Sequence, residues 1–149
     1  MLSNGAVANT LFHSADGGWT ENNENVFVSA TGARTAGAVS YLRGSSDRAA
    51  DGSSYDKGSP KATWHTNSYT LAQVQAIFAS DSRTNVGTLI GIDLRNRGVS
   101  GRLISVTLYG SNGTTKTVSG GVFVSVFNVN TPATDPAMWN TLFALTPIP

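Results

Sequence analysis

Leu103-Ile104-Ser105-Val106-Thr107-Leu108-Tyr109-Gly110-Ser111-Asn112-Gly113-Thr114-Thr115-Lys116-Thr117-Val118 decides the fold class. β-Branched and aromatic residues alternate with polar ones on either side of Asn112-Gly113, the pair that most readily takes a type I′ turn, so the stretch predicts an antiparallel hairpin. Upstream, residues 89–94 read as a further strand, joined to it by the turn-rich segment 97–102. Before that lies a helix signal. Thr70 is placed to cap, Gln73 three residues on completes a capping box, and Leu71, Val74, Ile77 and Phe78 fall on one helical face. Downstream, residues 122–129 fit either a β-branched strand or a helical face of Val122, Phe123, Val126 and Phe127, and a short helix capped by Ser119 is preferred.

Working outward, residues 6–13, 41–42, 62–69 and 139–145 read as shorter strands, and Asp16-Gly17-Gly18 as a tight turn. Residues 44–60 are nearly all small or charged, with Tyr55 their only large side chain, and read as a long loop. Such a loop is expected to be mobile, with Tyr55 either a latch on the body of the domain or a sugar-stacking ring. The expected architecture is a single α+β domain over residues 1–149. It is strand-rich, with a mostly antiparallel twisted sheet and two short helices at about 70–80 and 120–127.

Composition narrows the function. The 149 residues carry a net charge of +1, with 10 Lys+Arg against 9 Asp+Glu, which supplies no basic field for a nucleic acid. No apolar run approaches the roughly 20 residues that span a bilayer. Zero cysteines exclude disulfides, thiol nucleophiles and Cys-ligated metals. Ser, Thr and Asn outnumber the charged side chains, a surface suited to neutral, hydroxyl-rich ligands such as carbohydrate. Met1-Leu2-Ser3-Asn4-Gly5 has neither the basic nor the apolar region of a secretory signal.

Chemistry-bearing motifs are few. His13 and His65 do not have the spacing of a zinc site. Asp47, Asp51 and Asp56 lack the regular spacing and closing Glu of a calcium loop, so they read as solvated and no metal or other cofactor is expected. One segment concentrates polar side chains: Phe12-His13-Ser14-Ala15-Asp16-Gly17-Gly18-Trp19-Thr20-Glu21-Asn22-Asn23-Glu24-Asn25. A double glycine lets a ligand approach the backbone, and hydroxyls, amides, two carboxylates and an indole follow it. Thr20 and Asn22, two apart on an extended segment, point to one face. Trp19 points to the other, as a core or rim residue. A polar turn before an ordinary surface strand has the same composition.

The segment resembles the sporulation stage II protein D family, also called the amidase enhancer or SpoIID/LytB domain. The resemblance runs from Phe12-His13-Ser14, Gly17-Gly18-Trp19-Thr20-Glu21-Asn22 and Glu24-Asn25-Val26-Phe27 to Tyr41-Leu42-Arg43 and Trp64. It continues through Ser100-Gly101-Arg102, the hairpin glycines Gly110 and Gly113, Val118-Ser119-Gly120 and Asn140-Thr141-Leu142-Phe143. It is the ordered set, rather than any one motif, that is specific.

The resemblance implies an extracytoplasmic, wall-facing bacterial protein whose ligand is peptidoglycan. Members of the family are lytic transglycosylases or assist the amidases that strip stem peptides. The family's catalytic glutamate lies in an N-terminal half, and this chain resembles only the C-terminal half to two-thirds. A truncated chain, a proteolytic fragment or pairing with a partner that supplies the other half would each account for that. The expected function is the peptidoglycan-binding portion of such a lytic transglycosylase domain. The alternative is a non-enzymatic amidase-enhancer module acting through protein contacts. The expected substrate-binding residues are His13, Ser14, Gly17, Gly18, Thr20, Glu21, Asn22 and Tyr41. Glu21 and Glu24 are the only acids of the motif, and as solvated carboxylates they are expected to position ligand or backbone rather than to donate a proton.

Overall fold

The computed structural model describes residues 2–13 and 15–146. In chain order its elements are β1 (Leu2–Ser3), β2 (Ala6–Val7), α1 (Asn23–Val26), a 3-10 turn (Tyr55–Gly58), α2 (Leu71–Ala79), β3 (Leu89–Asp93), β4 (Ser105–Gly110), β5 (Thr115–Ser119) and α3 (Gly120–Asn130). The main sheet is antiparallel in the order β3-β4-β5, and β1 and β2 form a separate small ladder. This is an α+β fold. Helix and strand take similar shares, 20% and 18%, so it is less strand-rich than the sequence suggests.

The β4–β5 hairpin forms, but not through a type I′ turn. That turn needs positive φ at both central residues, and among the described residues Asn4 is the only non-glycine with positive φ. Gly113 alone takes the left-handed conformation, at φ 83°. Gly113 N donates to Gly110 O and Gly110 N to Thr114 O, which is a three-residue loop ending in a glycine bulge. Register explains the choice. The longer loop sets Val106 opposite Val118, both buried, whereas a two-residue loop would slip the pairing by one and turn one of them to the other face.

Both predicted helices form, α3 on that buried face and α2 packed against α3. Thr70 accepts from Gln73 N and Gln73 Oε1 accepts from Thr70 N, the reciprocal capping box. Ile77 and Phe78 are buried, while Leu71, at the first turn, is exposed. Ser119 Oγ accepts from Val122 N and starts α3, which settles residues 120–130 as helix. Phe123, Val126 and Phe127 then face the sheet residues Val106, Leu108 and Val118. Phe123 stacks on Phe78 at 4.5 Å between centroids, and Phe143 lies 5.9 Å from it on another side. The outer sheet face is polar, with Thr107 and Thr117 hydroxyls paired at 2.9 Å.

The shorter strands expected outside this core are mostly absent. Of residues 6–13 only Ala6–Val7 is strand, and residues 41–42, 62–69 and 139–145 have no strand assignment. Their backbone bonds are single contacts, as from Leu103 N to Thr141 O and from Asn23 N to Leu42 O, and Trp64 and Phe143 pack against the core as aromatic anchors rather than members of a ladder. Residues 44–60 are not an unanchored loop. Ser46 bridges Trp19 and Arg48 bridges Ser54, Thr20 N donates to Ser45 O and Asp47 N to Gly18 O. Ser54 Oγ accepts from Asp56 N and caps the 3-10 turn. Tyr55 remains exposed.

Candidate functional site

The glycine turn of the polar segment is held by carboxylates. Asp56 Oδ2 accepts from both Asp16 N and Gly17 N at 2.6 Å, and Asp16 Oδ1 accepts from Gly18 N at 2.7 Å. Gly17 and Gly18 stand at φ 75° and 89°, a backbone that side chains with a Cβ rarely adopt, and their amides turn inward as donors. Burial lifts the Asp16 carboxyl above the usual range, and the neighbouring carboxylates Asp56 and Asp47 lift it further. Asp56 moves the other way: burial opposes its charge, but the N–H groups of Asp16 and Gly17 outweigh it.

Downstream of the turn, successive side chains each fasten a different part of the chain. Glu21 Oε1 accepts from Asn22 N at 2.8 Å, Asn25 Nδ2 at 3.0 Å and Val99 N at 3.2 Å. Its Oε2 accepts from Ser100 N at 3.0 Å and Ser100 Oγ at 2.6 Å. Asn22 Oδ1 accepts from Gly44 N, and Asn23, buried in α1, bonds Gly37 O and Val39 N. Glu24 takes a two-pronged ion pair from Arg43, both N···O distances 2.7 Å. Asn25 Oδ1 accepts from Arg34 Nη2. Partial burial acts against the Glu21 charge, but the Ser100 and Asn25 donors prevail and hold its carboxyl below the usual range. The Arg43 guanidinium holds Glu24 down to about 2. Both are ionised at neutral pH, and neither can hand a proton to a leaving group.

Beside this cluster lies a cleft of about 370 Å³, lined on one side by Glu21, Asn25 and Val26 and across it by Arg102, Ser119 and Thr141. Its walls come from α1, the segment before β4, the β5–α3 junction and the C-terminal segment. A second hollow of about 540 Å³, along Gly91, Asp93, Arg95 and Tyr109, is wide open to solvent, and its polar groups Asp93 and Arg95 already pair with each other.

No family model, curated protein or solved structure matches this chain.

The expected site residues divide. Gly17, Gly18, Thr20, Glu21 and Asn22 are brought together, but their polar groups face other parts of the chain. Thr20 Oγ1 accepts from Ser45 N, and Asn22 is bonded to Gly44. Of that run, Glu21 also borders the cleft. His13 is exposed, its Nε2 3.9 Å from Asp16 Oδ2. Tyr41 is 39% exposed and its hydroxyl accepts from Asn9 N. Trp19 lies at the surface, 41% exposed. Ser14 lies outside the described residues. Sequence reading missed Arg102, Ser119 and Thr141 as cleft residues, and missed that Asp16 meets Asp47 and Asp56. The only signal for the first three was their position in the ordered set of motifs. Among the described residues, no helix is long and apolar enough to cross a membrane.

Proposed function

We propose that this chain is the peptidoglycan-binding portion of a lytic transglycosylase domain of the sporulation stage II protein D type, acting on cell-wall glycan strands outside the cytoplasm. One observation carries the reading. Residues far apart in sequence that carry the resemblance, namely Glu21, Asn25 and Val26, Arg102, Ser119-Gly120 and Thr141, line one cleft. The cleft is lined by Asn25, Ser119, Thr141 and Arg102 beside the apolar Val26 and Val28, a mixture of residue types suited to N-acetylated sugars. Protonating a glycosidic oxygen needs a carboxyl kept neutral by its surroundings. Glu21, the acid at this cleft, is held ionised by its donors. In this reading the chain binds and orients the strand, and the acid comes from another segment or partner.

Titration of labelled protein with denuded glycan oligomers tests the reading. Binding should be weak, and a Gly121→Phe variant should lose it, because Gly121 borders the cleft and a Cβ there meets only Ser119 Oγ within 4 Å, which leaves the ring to occupy the cleft. A Tyr55→Ala variant, away from the cleft, should bind as the parent does. Mass analysis of treated wall strands should show no anhydro-muramyl ends. Binding unchanged by Gly121→Phe would remove the cleft as the site, and enzymatic release of anhydro ends would restore a catalytic acid to this chain.

A second reading, the amidase-enhancer module acting through protein contacts, is favoured by the exposed apolar run Val7, Leu11 and Phe12, with Phe12 98% exposed. It predicts no glycan binding but faster turnover of a wall amidase when the chain is added.

A further inference from the structure

Asp16, Asp47 and Asp56 come from two segments about forty residues apart, yet one carboxylate oxygen of each lies within 4.8 Å of the others. Three like charges at that spacing repel strongly unless something positive sits among them. Among the described residues no lysine or arginine forms an ion pair with these carboxylates. The Arg48 side chain passes Gly18, but its Nη1 donates to Gly52 O. His13 Nε2 stays 3.9 Å from Asp16 Oδ2, beyond hydrogen-bonding distance.

A second observation is independent of the clustering. Asp16 is 3% exposed, and its Oδ2 is buried with no hydrogen-bond donor among the described residues. Buried carboxylate oxygens are normally bonded, and one left bare points to a missing positive partner. Two other oxygens in this corner are engaged: Asp16 Oδ1 holds Gly18 N, and Asp56 Oδ2 holds Asp16 N and Gly17 N. Each of these two side chains thus uses one oxygen to shape the turn and keeps the other.

We infer that Asp16, Asp47 and Asp56 form a calcium site that clamps the glycine turn onto the 47–56 segment. The donor set is all oxygen, which selects a hard cation over zinc or copper. Oxygens all within 4.8 Å of one another can share one coordination sphere, and an irregular, partly open set of carboxylates suits calcium, which takes roughly six to eight oxygens in flexible geometry, better than magnesium, which demands a near-ideal octahedron and gives up its waters reluctantly. Three carboxylates, with solvent to complete the shell, give affinity on the order of 10⁻⁴–10⁻³ M, the range of extracellular calcium modules. No linear motif announces the site, because its ligands are assembled by the fold. The inference does not depend on the glycan reading.

Thermal unfolding of the full chain tests it, in EDTA and then in CaCl₂ up to 10 mM, with ionic strength held constant by NaCl and with MgCl₂ in parallel. Calcium at that concentration should raise Tm by about 3–10 °C, with a smaller rise in magnesium. Asp16→Asn keeps an acceptor for Gly18 N, and it and Asp47→Asn should both abolish the rise. Asp51→Asn, an exposed acid that is not a member of the cluster, should keep it. No calcium-dependent rise in the parent would overturn the site. So would an undiminished rise in Asp47→Asn, or an Asp16→Asn protein that melts higher than the parent in EDTA while the parent ignores calcium, which would mean a proton shared between Asp16 and Asp56. An equal rise in magnesium would overturn the assignment to calcium.

Discussion

Gly98 lies directly against the Glu21 carboxylate, so that a Cβ built on it would overlap both carboxylate oxygens and the carboxyl carbon. Gly98 is not in the left-handed region, so Gly98→Ala perturbs packing and not backbone conformation. The added methyl should drive Glu21 out of its seat and separate it from its five donors on Asn22, Asn25, Val99 and Ser100. Hydrogen bonds to a charged group contribute about 1.5–3 kcal/mol each, but this half-buried site lets water replace some of them. A net loss of about 2–4 kcal/mol follows, or about 4–16 °C in Tm for a chain of this size. Glu21→Ala should cost a similar amount by removing the same acceptor. The two changes act on one contact, so they should not add: with Glu21 already truncated, the Gly98 methyl enters vacated space and should cost less than about 0.5 kcal/mol. Urea unfolding of the parent, both single variants and the double variant gives the coupling. Additive losses would show that Glu21 is not clamped by the 98–100 segment, and the positioning role assigned to it would fall.

Glu24 gives a pH signature. Its carboxyl is held at about 2 in the folded protein against an ordinary 4.5, so the Arg43 pair stabilises fully above about 4.5 and is lost as pH falls toward 2. The stability gap between parent and Glu24→Gln, followed by urea unfolding from pH 7 downward, should close over that window, and a gap that persists at pH 2 would refute the ion pair as its source. Phe123, 1% exposed and stacked with both Phe78 and Phe143, should cost about 3–5 kcal/mol when cut to Ala. A loss below about 1 kcal/mol by the same measurement would mean that the two helices do not share one core with the sheet.

Local signals determined α2 and the β4–β5 hairpin from sequence alone and favoured α3. The capping box at Thr70 and Gln73, the cap at Ser119 and the alternation through Val106, Leu108 and Val118 act between residues a few positions apart, so neighbouring residues suffice to specify them. Even there the fold chose the finer detail: Asn112-Gly113 favours a type I′ turn in isolation, but burying Val106 and Val118 on one face required the three-residue loop. In the first seventy residues and at 139–145 the same reasoning overcounted strands, because alternation proposes a strand and only an available partner edge makes one.

The polar segment shows the division most sharply. Its composition singled it out as a place for a sugar ligand, but composition could not say that many of its polar groups bind other parts of the chain. Glu21 finds Ser100 across 79 positions, and Asp16 finds Asp56 across 40. Such pairings depend on where the chain returns in space, and nothing in the spacing of the residues encodes that return. Long-range packing therefore decided which carboxylates became fasteners, which oxygen was left bare in a buried corner, and which distant stretches came to line one cleft.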